Sequence, residues 1–369
     1  MSEIAFVTWD GGGNVSVTVS IAGALRARGR SVSIVAPRSL RSAAESAGVS
    51  FEELGIAPPV SPEQRLRYLL DVTQGTEAMA DRLGRLTSGA DLLVVDCNLS
   101  WALERHFAPR TAVLVHTALG LYLPMWQQVL DLANEERGSL GLPPLARAAE
   151  SWAQQDLLLV ASVQEFDRPL PSASLRPVYV GPVGSDRHGE RSMPARAASS
   201  RPLVLISYST DALQNGPERL QRALDALAGL PVTVLASTSR LFPVSRLLVP
   251  ANGTVVEYVS HASVMPSSAL VVCHAGHGTT MAALTRGVPL VCIPGLGRDQ
   301  EPIAARVSEL GLGVALERDA TTSSIRGAVT AVLADGRYLQ RAREFAQRAG
   351  GADGAERAAE ALLAILDRG

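Results

Sequence analysis

Two glycine-bearing turns carry the residue types best suited to chemistry. One is His274-Ala275-Gly276-His277-Gly278-Thr279, which follows the apolar run 269–273 and opens a helical stretch reaching about Thr285. Glycines let a backbone come close to a ligand, and a helix start offers unpaired N–H groups at the positive end of its dipole. That combination suits an anion, above all a diphosphate. After the next apolar run, Asp299 and Gln300 offer paired polar atoms of the kind that hold neighbouring hydroxyls. Asp299 also fits the start of a helix as its cap. Cys273, His274 and His277 share the first turn, but no carboxylate or further cysteine joins them, so no metal is expected there. The other turn is Trp9-Asp10-Gly11-Gly12-Gly13-Asn14, between an apolar run and a helical pattern. Asn14 cannot take up a proton at neutral pH, whereas a carboxylate such as Asp10 can.

The elements that must position these turns follow an α/β rhythm. Residues 4–9 (IAFVTW) read as a buried strand, 15–28 as a helix with apolar positions at Val15, Val19, Ala22 and Leu25, and 31–36 (SVSIVA) as the next strand. Strand, glycine turn, helix and strand begin a doubly wound parallel sheet. Runs at 91–96, 111–115 and 156–162 read as further strands, and Pro124 to Leu140 as one amphipathic helix. Residues 184–201 are small and polar, with Met193 the one large apolar residue, and read as a linker. The rhythm then restarts with strands at 202–207, 231–236, 254–259, 269–274 and 288–293, and ends in helices. The expected division is an N-terminal domain over 1–183, the linker over 184–201, a C-terminal domain over 202–350, and a helical segment over 351–369 packing back toward the N-terminal domain.

The stretch HAGHGTT followed by GVPLVCIPGLGRDQ resembles the donor signature of nucleotide-sugar-dependent glycosyltransferases. It is most similar to the bacterial branch that decorates macrolides, enediynes and aromatic polyketides. The glycine turn, VGPV (180–183), SYST (207–210) and the region 116–145 also resemble that branch, so the likeness spans nearly the whole chain. It implies an α/β glycosyltransferase-B fold, two facing Rossmann-like domains with a central cleft. It also implies an inverting, metal-independent transfer of a sugar to a hydrophobic aglycone in antibiotic biosynthesis. The absence of any DxD sequence agrees with the last point.

Carried over by position, the resemblance places His274, Gly276, His277, Gly278 and Thr279 at the donor diphosphate, with Ser209 and Thr210 facing it. Asp299 and Gln300 hold the transferred sugar, and Val259 and Tyr258 meet the base. Gly12, Gly13, His116, Met125, Trp126 and Val129 line the acceptor side. Many relatives carry a histidine base where this chain has Asn14, oriented by an aspartate that corresponds to Asp96. The expected catalytic set is therefore Asp10 as base, Asp96 second to it and Asn14 as positioner, with His116 in reserve and an acidic, phenol-like acceptor easing the task. Ala282 stands where many users of uridine donors have a ribose-binding glutamate, so a thymidine-diphosphate deoxysugar is the expected co-substrate and no cofactor is needed.

Two other readings remain. Asn14 suits a non-catalytic relative that activates a partner enzyme. Gly11-Gly12-Gly13 loosely fits a nicotinamide-dependent oxidoreductase, but strand two ends in Ala36-Pro37-Arg38, with no acid for a ribose. The composition narrows the field further. A formal charge of −2 argues against nucleic-acid binding. No apolar run approaches the ~20 residues of a membrane span, and Cys97, Cys273 and Cys292 lack paired spacing, as buried thiols in a reducing cytoplasm would. The expected partners are a nucleotide-sugar donor and an apolar small-molecule acceptor, with no nucleic acid and no membrane; a homodimer is compatible with this reading.

Overall fold

The structure is a computed structural model. It describes residues 3–55, 77–99, 102, 108–128, 130–139, 141–147, 149–172, 174–184, 200–209, 215–297, 299–350 and 353–368. Thr210, Val129 and most of the expected linker lie outside these residues. The chain divides into two compact units, Met1–Ser185 with Ala352–Gly369, and Asp186–Gly351.

Among the described residues, the first unit holds a parallel sheet in the order β3-β2-β1-β4-β5-β6-β7. Its strands are β1 (Glu3–Val7), β2 (Ser31–Ala36), β3 (Ser50–Glu53), β4 (Leu92–Asp96), β5 (Arg110–Val115), β6 (Leu157–Val160) and β7 (Pro177–Tyr179). The central strands read as continuous apolar runs because helices cover both faces. Alternation along β1 divides its side chains between two cores. Ile4 and Phe6 pack with Val17, Ile21 and Leu25 of helix Gly13–Ala27 and with Leu362 of helix Gly354–Leu366. Ala5 and Val7 pack with Leu83, Leu93 and Leu119 on the other face. Arg357 Nε donates to Val180 O at 2.7 Å, which ties helix Gly354–Leu366 to the loop after β7.

The region expected as one helix over 124–140 differs. Helices run over Leu119–Gln128 and Leu130–Ser139, and Pro124 lies inside the first. Proline commonly opens helices, which misplaces the start by five residues. The true N-terminus is held from a distance: Asp167 Oδ1 accepts from Gly120 N at 2.8 Å and Leu121 N at 3.2 Å.

In the second unit the described strands are β8 (Leu203–Ser207), β9 (Thr233–Ser237), β10 (Gly253–Val256), β11 (Ser268–Cys273), β12 (Leu290–Cys292) and β13 (Gly313–Ala315). They form a parallel sheet ordered β10-β9-β8-β11-β12-β13. Val204 and Ile206 pack against Leu220 and Leu224 of helix Pro217–Leu227. In both sheets the strand order reverses beside the first strand, and in open α/β sheets ligands bind beyond the carboxyl ends of strands at such points. Those ends are the turns after β1 and β4 in the first unit and after β8 and β11 in the second.

Candidate functional site

In the second unit, β11 ends at Cys273 and helix His277–Leu284 begins four residues later. The turn between is tight. Ala275 adopts φ 60°, a left-handed conformation that costs a residue with a Cβ roughly 1–3 kcal/mol. Gly276 is the helix N-cap and supplies no side-chain cap, so its first-turn N–H groups lack one. A Cβ at Gly276 would collide with the His274 imidazole, which explains the glycine there. Gly278 is exposed, Thr279 half-buried and His277 buried. Thr280 Oγ1 is buried without a hydrogen-bond partner.

His274 is buried, and its Nδ1 has no hydrogen-bond partner. Burial first, and the nearby Arg219 charge second, push its pKa down to about 3, so the ring is neutral at neutral pH. Arg219 was not anticipated from the sequence. It lies in the first turn of helix Pro217–Leu227, its guanidinium 4.8 Å from the Tyr208 ring centroid and hydrogen-bonded to Ile293 O. The missed signal was a basic residue in a helix's first turn, where the macrodipole disfavours it. Gly295 leaves room for both Arg219 and Gln300, since a Cβ would stand 2.7 Å from Arg219 Nη1 and 2.9 Å from Gln300 Oε1.

Asp299 and Gln300 separate in role. Gln300 is buried and its Oε1 accepts from Gly295 N at 2.5 Å, so that side chain shapes its own loop. Asp299 stays half-buried at a helix N-cap position without making a side-chain cap bond. Ser209 is buried and its carbonyl accepts from Asn215 Nδ2 at 3.0 Å. Val259 is buried, and Tyr258 is half-buried with the Arg240 guanidinium 4.8 Å from its ring centroid.

The first unit gathers a different cluster. Asp96, at the end of β4, is 1% exposed. Its carboxylate accepts from Trp9 Nε1 at 3.2 Å, Asn14 Nδ2 at 3.1 Å, Asn98 N at 3.0 Å and Asn98 Nδ2 at 2.9 Å. His116, just past β5, places Nδ1 3.2 Å from Asp96 Oδ2, an ion-pair contact without an aligned hydrogen bond. Burial alone would raise the Asp96 pKa, but the charge and close contact of His116 and the Asn98 hydrogen bonds outweigh it and hold the carboxyl low. For His116, burial opposes the charged form, yet Asp96 prevails and holds the imidazole well above the ordinary histidine value. Asp96, Cys97 and His116 bring their ligand atoms within 4.8 Å of one another. Burial and the Asp96 charge push the Cys97 thiol up, so it stays protonated.

Asn14 corrects the expectation of a positioner facing the acceptor. It is 1% exposed. Its Nδ2 donates to Thr8 Oγ1 at 3.0 Å, Trp9 O at 2.9 Å and Asp96, while its Oδ1 accepts from Gly11 N at 3.1 Å. Both ends of the amide are engaged within the turn. The three glycines have three separate roles. Gly11 has no space for a side chain, since a Cβ would lie 2.8 Å from both Asn14 Oδ1 and Trp9 Cζ2. Gly12 takes φ 83°, and Gly13, the first helical residue, borders open space. Asp10 is half-exposed.

On helix Leu119–Gln128, Met125 is half-buried, but Trp126 belongs to the core, its ring edge-on to Trp152 at 6.0 Å. That corrects the expectation of Trp126 as an open acceptor wall. Tyr122, one helical turn earlier, lies nearer the cluster. Its hydroxyl donates to Asn98 Oδ1 at 2.5 Å and its ring centroid is 6.3 Å from that of His116.

The family model for the erythromycin biosynthesis protein CIII-like C-terminal domain matches residues 222–362. The NDP-glycosyltransferase YjiC of Bacillus subtilis (strain 168) is 36% identical over 192 residues, 52% of this chain and 48% of that protein. The match thus spans about half the length of this curated relative. Among solved structures, the calicheamicin glycosyltransferase CalG4 aligns over 100% of this chain and 99% of its own, with TM-score 0.81 and 22% identity. The spinosyn rhamnosyltransferase SpnG complexed with thymidine diphosphate aligns over 100% of both chains, with TM-score 0.74 and 21% identity. The chain has the glycosyltransferase-B fold. No helix among the described residues is long and apolar enough to cross a membrane.

Proposed function

We propose that this chain, which carries an EryCIII-like C-terminal domain on a glycosyltransferase-B fold, transfers a sugar from a nucleoside-diphosphate donor to an apolar natural-product acceptor. One observation carries the reading. The turn after β11 sets a helix N-terminus without a side-chain cap beside a buried, neutral His274 whose Nδ1 makes no geometric hydrogen bond among the described residues, with the Arg219 guanidinium near it. Helix N–H groups and a nearby cation are what a leaving diphosphate needs as charge develops on it. The acceptor oxygen then attacks the anomeric carbon as the bond to the diphosphate breaks, which inverts the centre in one step and calls for no metal or cofactor.

Thymidine diphosphate is the proposed nucleotide. Ala282, on the same helix, offers a methyl group where an acidic side chain would accept bonds from ribose hydroxyls, so a 2′-hydroxyl adds little. The solved neighbour holding thymidine diphosphate supports this choice. Calorimetric titration of thymidine and uridine diphosphates, paired with turnover of the corresponding sugar donors in EDTA, tests the reading. Tighter binding and faster turnover of the thymidine series, undiminished by EDTA, are expected. Equal turnover of a uridine-diphosphate sugar would remove the nucleotide preference, and failure to bind either nucleotide would remove the transferase itself. The engaged amide of Asn14 motivates the auxiliary alternative, in which the purified chain binds nucleotide yet turns over nothing without a partner enzyme.

A further inference from the structure

The cluster in the first unit holds a carboxylate–imidazole pair built from two different strands. Asp96 ends β4 and His116 follows β5, and the two strands are adjacent and parallel, with Asp96 in register with Leu114. The two side chains therefore emerge from the same sheet edge. The pairing is directional. Asp96 is 1% exposed and its oxygens are crowded by donors, while the His116 side chain keeps 18% exposure. The imidazole is the member of the pair that a substrate can reach. Nδ1 is turned to the carboxylate, so a proton exchanged with an acceptor passes through Nε2.

Asn14 completes the arrangement. Its amide donates to the same Oδ2 that His116 contacts. It also occupies the side of Asp96 toward the glycine turn, where it is buried. A base at position 14 is absent, and Asp96 has instead been matched with an imidazole across the sheet edge. The half-buried Tyr122 ring beside His116 offers an aromatic surface on which an apolar acceptor can lie.

We propose that His116 is the catalytic base of the transfer, with Asp96 as its positioning residue and Asn14 as the fixed link between Asp96 and the glycine turn. The proposal rests on the transferase reading above. As the acceptor oxygen bonds to the anomeric carbon, its proton passes to His116 Nε2. The electron pair of the breaking carbon–oxygen bond leaves with the nucleoside diphosphate. Asp96 remains ionised and stabilises the imidazolium. Among the described residues, the groups facing His116 are Asp96, the Cys97 thiol and the Tyr122 phenol. Of these, Asp96 is the one whose charge acts strongly on the imidazole. His116 therefore becomes a competent base only as pH rises, and transfer should climb along an alkaline-shifted limb.

The test compares two acceptors of similar size, 2-phenylethanol and 4-nitrophenol, with a thymidine-diphosphate sugar as donor. His116→Ala should lower kcat for the alcohol by about 10²- to 10⁴-fold, the usual worth of a general base. It should change transfer to the nitrophenol, which ionises unaided, by less than about tenfold. His116→Gln should behave alike, and added imidazole should restore part of the alcohol activity to His116→Ala. Asp96→Asn should move the pH limb toward the ordinary histidine range, whereas Cys97→Ser and Tyr122→Phe should leave it in place. Thymidine diphosphate titration and a melting curve on each variant report donor binding and folding. An alcohol rate within about twofold of wild type in His116→Ala, or equal losses with both acceptors, would overturn the base assignment. Loss of thymidine diphosphate binding by the wild-type protein would overturn the transferase reading instead, and wild-type transfer to neither probe counts against both.

Discussion

Two histidines, one in each unit, are driven in opposite directions. His274 lies near Arg219 and is held neutral down to about pH 3. His116 lies against Asp96 and holds its proton well above the ordinary range. Burial disfavours the charged form of both, so it cannot explain the difference. The sign of the neighbouring charge decides. The surroundings differ in the same sense. Around Asp96 the donors of Trp9, Asn14 and Asn98 and the His116 imidazole converge on one carboxylate. Around His274, one imidazole nitrogen and the Thr280 hydroxyl make no geometric hydrogen bond among the described residues. Apart from His116 Nδ1, which makes an ion-pair contact rather than an aligned hydrogen bond, the Asp96 cluster is complete in itself and suits a fixed reactive group. The other is incomplete and suits a ligand.

The sharpest way to break the comparison is to remove the centre of the completed cluster. Asp96→Ala strands four neighbouring side chains and leaves His116 without its counter-charge. The first unit should lose about 3–5 kcal/mol, the usual cost of breaking a buried pair, seen as a lowered urea midpoint. A near-native midpoint would show that the cluster contributes nothing to stability.

On the incomplete side the largest effect should be kinetic. His274→Ala should lower kcat by about 10²-fold, with a smaller change in KM, because its partner develops charge as the bond breaks. A melting curve on the variant separates this kinetic loss from any loss of folding caused by truncating a buried side chain. A wild-type kcat would place the diphosphate elsewhere.

Asn14→Ala should cost about 1–3 kcal/mol, because Gly11 N and Asp96 Oδ2 lose a buried partner. Activity corrected for folding should fall much less than in His116→Ala. A loss as large as that of His116→Ala would return Asn14 to the chemistry.

The smallest effects are in pH dependence, and the two histidines should give opposite slopes. The folded pKa of His274 lies below its unfolded value of about 6.5. Its contribution is complete above that pH and is lost as pH falls toward about 3. His116 has a raised folded pKa, so its contribution is complete below about pH 6.5 and is lost as pH rises through the folded value. Each slope is at most about 1.4 kcal/mol per pH unit. In equilibrium unfolding followed across pH, His274→Gln should flatten the acid side and His116→Gln the alkaline side. The same change in both variants would mean that neighbouring charge does not set the difference.

Much of the fold was legible because a parallel strand covered on both faces must be apolar along its length. The runs at 31–36, 91–96 and 111–115 are such strands and match β2, β4 and β5 closely. Strands β3, β7 and β13 were not foreseen; SFEE, PVY and GVA are three or four residues long and carry little apolar signal. The turn after β11 was readable for a local reason, since its glycines, its histidine and the helix it opens are neighbours in the chain.

The sequence by itself determined what local chemistry could determine: which segments must be buried strands, where glycine is needed, and that Asn14 cannot take a proton. Tertiary structure decided the partnerships. Asn14 meets Asp96 across 82 positions and Trp9 meets it across 87. Asp167 caps a helix 47 residues before it, and Arg219 reaches Ile293 across 74. Adjacent parallel strands bring Asp96 and His116 to one sheet edge, although 20 positions of chain separate them. A residue's type sets which protons and charges it can hold. The state it adopts depends on desolvation and on the sign of the nearest charge, and both are properties of what the fold packs against it.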